Sequence, residues 1–455
     1  MEIEKILYAD TVIAGTGVSG LYAALNLPYT QKVLMITKKD LKSSDSFLAQ
    51  GGICVQRDDD DYDSFFEDTM RAGHYENRKE SVDIMIRSSR KIIDSLIGYG
   101  VEFEKVNGQL QYTREGAHRR NRILFHEDET GKEITSRLLA EAEKRDNIEM
   151  LEYTTMTDLI CENGTCRGIR ARTEMGECLK ILAEYVILAT GGIGGNYTHS
   201  TNFPHLTGDA LTLAARYGIE LEHLDYVQIH PTTLFSKKKG RRFLISESVR
   251  GEGALLYDAH MNRFTDELQP RDVVTQAILE QMEKDHTEHV WLDMRPIPTE
   301  VIFHHFPNIA RHCLEEGYDV TKECIPVVPA QHYFMGGIHV DSNSETTMKG
   351  VYAVGETSCN GVHGRNRLAS NSLLESLVFA GRAAEHIAGK ASEHNAGKAA
   401  EHIAGRESEH NIGKAAGHIV GKTAEHNAGK TADHIAGRVN EISNSEQYHK
   451  LNEVV

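Results

Sequence analysis

The sequence is poor in the residues that mark several classes of protein. It has one tryptophan, nine prolines and seven cysteines in 455 residues. No apolar run approaches the ~20 residues of a membrane-spanning helix, so none is expected. The start, Met1-Glu2-Ile3-Glu4-Lys5, lacks the basic and apolar stretches of a signal peptide, and the expected location is the cytoplasm. The cysteines, at 54, 161, 166, 178, 313, 324 and 359, show neither a Cys-x-x-Cys pair nor a zinc-ligand spacing. They read as reduced thiols that fill space, with a catalytic cysteine as the lesser alternative, and no metal site is expected. Positive charge is also short: 50 Lys and Arg stand against 67 Asp and Glu, a net charge of -17. That argues against nucleic acid or anionic lipid as a partner. The one basic run, Lys237-Lys238-Lys239-Gly240-Arg241-Arg242, reads as a solvated loop.

What is present is an ordinary globular composition, 40% hydrophobic and 26% charged, in a chain long enough for two or three domains. Thr11-Val12-Ile13-Ala14 reads as a buried strand, and Gly15-Thr16-Gly17-Val18-Ser19-Gly20 then leads into the helical Leu21-Tyr22-Ala23-Ala24-Leu25. This is G-x-G-x-x-G in a strand-turn-helix setting. Gly15 permits the tight turn, Gly17 the approach of a pyrophosphate, and Gly20 close packing of the helix, whose free amides face the anion. The second strand, 32–37, ends in Thr37 and Lys38 where a plain NAD site would carry an acid for the ribose. Apolar residues recur at helical spacing from Tyr62 to Arg145, and Thr130-Gly131-Lys132-Glu133 fits a capping box. Tyr185-Val186-Ile187-Leu188-Ala189 reads as another buried strand, and Gly350–Glu356 as a late strand of the same sheet. Sheet elements at both ends imply a second domain inserted between them.

From Glu385 to Arg438 an eight-residue unit repeats, with histidines at 386, 394, 402, 410, 418, 426 and 434. An eight-residue step keeps no helical face, and a glycine in each copy costs about 1 kcal/mol relative to alanine. The segment therefore reads as an expanded, weakly structured tail.

Polar clusters fall where glycine and proline break the periodicity: Ala49-Gln50-Gly51-Gly52, Thr113-Arg114-Glu115-Gly116, His230-Pro231-Thr232, Arg250-Gly251-Glu252-Gly253, Pro270-Arg271-Asp272, Gly355-Glu356 and Ser370-Asn371-Ser372-Leu373. Singly, each His or Arg is more often a satisfied core group or a surface ion pair than a ligand. Together these motifs resemble the succinate dehydrogenase/fumarate reductase flavoprotein family, most closely its L-aspartate oxidase branch, from about Ala9 to Ala384. The resemblance implies an α/β protein. A Rossmann-like FAD-binding domain would span 1–224 and 333–384, with an inserted α+β capping domain at 225–332. A low-complexity repeat tail at 385–438 and a C-terminal tail at 439–455 would follow.

Carried over residue by residue, the resemblance assigns FAD to the turn Gly15, Thr16, Gly17, Val18, Ser19 and Gly20, to Lys38, and to the loop Asp45, Ser46, Phe47, Leu48, Ala49, Gln50, Gly51 and Gly52. It adds Asp209, Glu356, Ser372 and Leu373. Asp45 stands where respiratory members carry the histidine that bonds to the flavin, so FAD is expected to be non-covalent. His230, Ser246, His332 and Arg367 would bind a four-carbon dicarboxylate, because two desolvated carboxylates each need a partner. Arg271 would be the acid/base group, with electrostatic clamping as the rival reading of its role. Glu115 would recognise the α-ammonium of L-aspartate, which succinate lacks. The implied reaction yields iminoaspartate in the first step of NAD synthesis, with dioxygen or fumarate as the final acceptor and quinolinate synthase as a candidate recipient of the imine. The alternatives are a soluble fumarate reductase or succinate dehydrogenase-type flavoprotein, and a non-catalytic flavin- or metal-binding module.

Overall fold

The computed structural model describes residues 4–409, with side chains described through residue 392. Most of the eight-residue repeat and the segment 439–455 lie outside the described residues.

Thr11–Ala14, Val33–Ile36 and Tyr185–Leu188 are buried at every position, as runs of apolar residues require when both faces of a sheet are covered. They are the middle of a five-stranded parallel sheet, ordered Val351–Ala353, Tyr185–Leu188, Thr11–Ala14, Val33–Ile36, Ile148–Leu151. Alternate side chains face opposite sides. Ile13, Met35 and Ile187 pack into a first core with α1 (Val18–Asn26), α3 (Lys79–Gly98), which follows α2 (Tyr62–Ala72), and α4 (Thr130–Glu143). Val12, Leu34 and Val186 face a second core against the sheet of Lys5–Tyr8, Cys178–Leu182, Thr165–Thr173 and Thr154–Glu162. The late strand Val351–Ala353 pairs with Tyr185–Leu188 and completes the sheet begun some 340 residues earlier.

After α5 (Asp209–Arg216) the chain enters a four-stranded antiparallel sheet, ordered Val227–Leu234, Ile325–Phe334, Val290–Asp293, Leu255–Tyr257. Its helices are α6 (Glu247–Gly251), α7 (Arg271–Asp285), α8 (Thr299–His305) and α9 (Pro307–Glu315). A third core, drawn from residues 234–328, fills this unit, which we call the cap. The strands that lead into and out of it, Val227–Leu234 and Ile325–Phe334, pair with each other.

The last described helix, α10 (Asn371–Glu409), returns to the first core and passes Glu385 without a break. The first repeat copy is packed against the body: Ile387 is fully buried and Lys390 pairs with Glu345 at 2.7 Å.

Two local readings change. Thr130 lies inside α4 rather than at its cap, where Glu129 stands. The Thr130 hydroxyl donates to Gly51 O, and Glu133 accepts from the Glu102 amide and from Arg137. The capping box fails because tertiary partners take both its side chains. The basic run 237–242 is only partly solvated: Lys237 and Lys238 are exposed, but Arg242 is buried, with its Nη2 on His199 Nδ1 at 3.0 Å.

Candidate active site

The carboxyl ends of Thr11–Ala14, Val33–Ile36 and Tyr185–Leu188 open into one long cavity, the place where an open parallel sheet receives its ligand. Gly15 has φ +118°, and a Cβ there would lie 2.0 Å from Ala189 O. A Cβ at Gly20 would lie 2.2 Å from Gly15 O, so the turn closes on α1 only with glycine at both positions. Gly15, Thr16, Gly17, Val18 and Ser19 line the cavity, and Val18 N at the start of α1 donates to Ser46 Oγ at 3.0 Å.

Lys38, Asp45, Ser46, Leu48, Ala49, Gln50, Gly51, Gly52, Asp209, Glu356, Ser372 and Leu373 line the same cavity. Two expected residues do not. Gly20 serves the turn, and Phe47 packs against the first core because its position in the short turn Asp45–Leu48 faces inward. Lys38 and Asp209 pair with each other at 2.5 Å, and Lys38 also donates to His205 O. Burial pushes the Asp45 carboxyl up to about 7, against the Phe203 amide and Arg241, which pull it down. Burial and the nearby Asp45 push Glu356 up to about 8.

At the other end of the cavity the cap supplies most of the charge. Arg271, the first residue of α7, is fixed at Nε by Glu247 Oε2 (2.6 Å) and at Nη1 by Gln228 Oε1 (2.9 Å). Burial opposes ionisation of Glu247, but Arg271 and Arg250 hold its carboxyl below the ordinary value. Arg367 lies over the Tyr333 ring at 4.4 Å and donates to Ser372 Oγ at 3.1 Å. Burial and Arg271 lower it to about 10, so it is still cationic at neutral pH. His230 donates from Nε2 to Ile245 O at 2.9 Å, and His332 Nδ1 meets Thr201 Oγ1 at 2.7 Å. Their rings lie 5.2 Å apart, and burial followed by Arg271 keeps both well below the ordinary imidazole value, hence neutral. Ser246 caps α6 and accepts from Ser248 N.

Glu115 joins the two ends. Its Oε1 accepts from Ser248 Oγ (2.6 Å) and its Oε2 from Ser370 Oγ (2.5 Å). A Cβ on Gly51 would lie 2.7 Å from Oε1, so the carboxylate rests on the glycine loop. Burial, then the charge of Glu247, raises its pKa.

Several lining residues have no site role assigned from the sequence: Thr190, Thr201, Asn202, Arg241, Glu247 and Tyr333. Two left a signal: Glu247 stands at i,i+3 spacing ahead of Arg250, the first residue of a quoted motif, and Arg241 lies in the basic run. Ser44 Oγ, Asp45 Oδ2, Gln50 Oε1, Asn202 Oδ1, His230 Nδ1 and Arg367 Nε are buried in the wall of the cavity without a protein hydrogen-bond partner. Buried polar atoms left in this way call for a ligand. Those near the glycine turn suit a dinucleotide and a flavin ring, and those among the cations suit carboxylates. The residues present therefore fit FAD, with Asp45 in place of a flavin-bonding histidine.

The FAD binding domain family matches residues 10–373. The chain is 50% identical over 380 residues to the L-aspartate oxidase of Clostridium perfringens, covering 83% of this chain and 86% of that protein. It is 42% identical over 406 residues to the L-aspartate oxidase of Nostoc sp., covering 86% and 70%. Among solved structures, it resembles E. coli quinol fumarate reductase with a TM-score of 0.80 at 31% identity, covering 85% of this chain and 71% of that one. With this cavity and these relatives, the chain belongs to the FAD binding domain family, in its L-aspartate oxidase branch.

Proposed function

We propose that this chain oxidises L-aspartate to iminoaspartate with non-covalent FAD, the first step of NAD biosynthesis. The observation that carries the reading is the place of Glu115, a buried acid bracketed by two hydroxyls in a cavity otherwise furnished to bind carboxylates. A dicarboxylate without a cation has no use for it. L-aspartate has an ammonium group to offer.

Arg271, Arg367, His230, Ser246 and His332 hold the two carboxylates. Binding offsets their desolvation because both arginines are fixed and charged before the substrate arrives. The substrate carboxylates favour protonation of the neutral histidines, whose cationic neighbours disfavour it. The ammonium group in turn favours the ionised form of Glu115, reversing the effect of burial. Glu247 keeps the Arg271 guanidinium in one plane beside the substrate, and Arg271 serves as the acid/base group there. When bound, FAD supplies the acceptor for the hydride of the α-carbon and is reoxidised by dioxygen or fumarate. The cap, which carries Arg271, His230 and Ser246, screens the site from water. The imine hydrolyses readily in water, which favours direct hand-over to quinolinate synthase.

Anaerobic titration of the purified holoprotein tests the reading. L-aspartate should bleach the flavin absorbance while D-aspartate and succinate leave it, and bleaching by succinate alone would overturn the assignment. Glu115→Gln should lower kcat/KM for L-aspartate roughly 10- to 100-fold, the worth of one charge-assisted contact. Fumarate reduction by the same variant should change little.

A further inference from the structure

Behind the flavin sheet, the strands Thr154–Glu162 and Thr165–Thr173 form a hairpin through Asn163 and Gly164. Both turn residues have positive φ, +51° and +74°, as a two-residue hairpin turn of this twist requires. Cys161 and Cys166 are direct partners across the ladder. Cys166 N–H donates outward to Lys349 O at 2.9 Å, so the two cysteines form a non-hydrogen-bonded pair. In such a pair the Cα atoms lie about 4.5 Å apart and the side chains share one face. That spacing falls within the roughly 4.4–6.8 Å that a disulfide spans. Both are free thiols, Cys166 buried and Cys161 half-buried, and neither lines the active-site cavity.

We propose that Cys161 and Cys166 are a modification site, a dithiol that hydrogen peroxide closes to a disulfide. In the reaction two S–H bonds and the peroxide O–O bond break, while one S–S bond and two O–H bonds form. Two electrons pass from the sulfurs to the peroxide oxygens, and two waters leave. A hydrogen bond from Cys161, helped by backbone groups of Gly168, Ile160 and Arg167, pushes the Cys166 thiol down to about 7 against the opposing effect of burial. The pair thus releases its first proton more readily than an ordinary thiol, which favours sulfur as the nucleophile. Oxidation of an amino acid with dioxygen as acceptor makes peroxide at this protein's own active site. That source rests on the proposed function. The test supplies peroxide from outside, so the two readings fail separately.

The reduced holoprotein is exposed to hydrogen peroxide, alkylated with iodoacetamide and digested with trypsin, which leaves both cysteines in one peptide, 146–167. The expected result is a peptide lighter by two hydrogen masses with neither cysteine alkylated, restored to two alkylations by dithiothreitol. Full alkylation of both, under conditions that oxidise the fully exposed Met175, would overturn the proposal. So would oxygen addition to either sulfur without a disulfide. In a Cys161→Ser variant, which keeps a hydroxyl to donate to Cys166, Cys166 should be trapped as a sulfenic acid when the oxidised protein is unfolded in dimedone, an adduct the wild type lacks. The same adduct in the wild type would count against closure.

Discussion

At the scale of the residue, the cavity holds acids that fold into places hostile to their charge. Asp45 titrates near 4 in an unfolded chain but about 7 here. The folded protein therefore binds an extra proton between about pH 4 and 7, and stability falls as pH rises through that window. Glu356, raised to about 8, extends the loss upward. Melting temperatures of the FAD-free protein at pH 5 and pH 8 should differ less for Asp45→Asn than for the wild type, and an equal drop in both would remove Asp45 as a source. Contiguous motifs made most of this wall legible in the sequence, because Gly15, Gly17, Gln50 and Gly51 sit beside other polar or small residues that mark a loop. Arg241 and Thr201 were not legible. Arg241 stands in a basic run that reads as a solvated loop and Thr201 is an isolated polar residue; the partner of each, Asp45 or His332, is distant in sequence, and only folding brings them together.

At the scale of the element, one carboxylate ties α9 to the flavin-binding body through its first turn. Asp128 accepts from Asn308 N (3.1 Å) and Ile309 N (2.7 Å) at the first turn of α9, whose own N-cap, Phe306, has no side chain to offer. Asp128→Ala should cost about 1 kcal/mol, as loss of a helix cap does. Hydrogen exchange at residues 308–310 should accelerate in this variant and much less in Asp128→Asn, which keeps an acceptor oxygen. The strands were readable from their apolar runs, since central parallel strands have little freedom in composition. The capping box was misread for the opposite reason. Its Thr130 hydroxyl had a better partner in Gly51 O, and local pattern cannot register a contact 79 residues away.

At the scale of the whole molecule, the chain closes its sheet late, and α10 continues beyond it. A chain ending at Ser392 should bleach its flavin with L-aspartate as the full chain does. One ending at Ala384 loses Ile387 from the core and the Lys390–Glu345 pair, and should be less stable by roughly 2–4 kcal/mol, read from its urea midpoint. Against a net charge of −17, the buried Arg271 and Arg367 concentrate positive charge inside the cavity. The pairing of Val227–Leu234 with Ile325–Phe334 has a further meaning for the history of such a chain. Because Met335 N already bonds Tyr226 O, the severed ends of the body would still meet if everything between them were cut away. A short synthetic turn could bridge the scar, and a foreign module could be spliced at the same seam without redesigning the nucleotide-binding half.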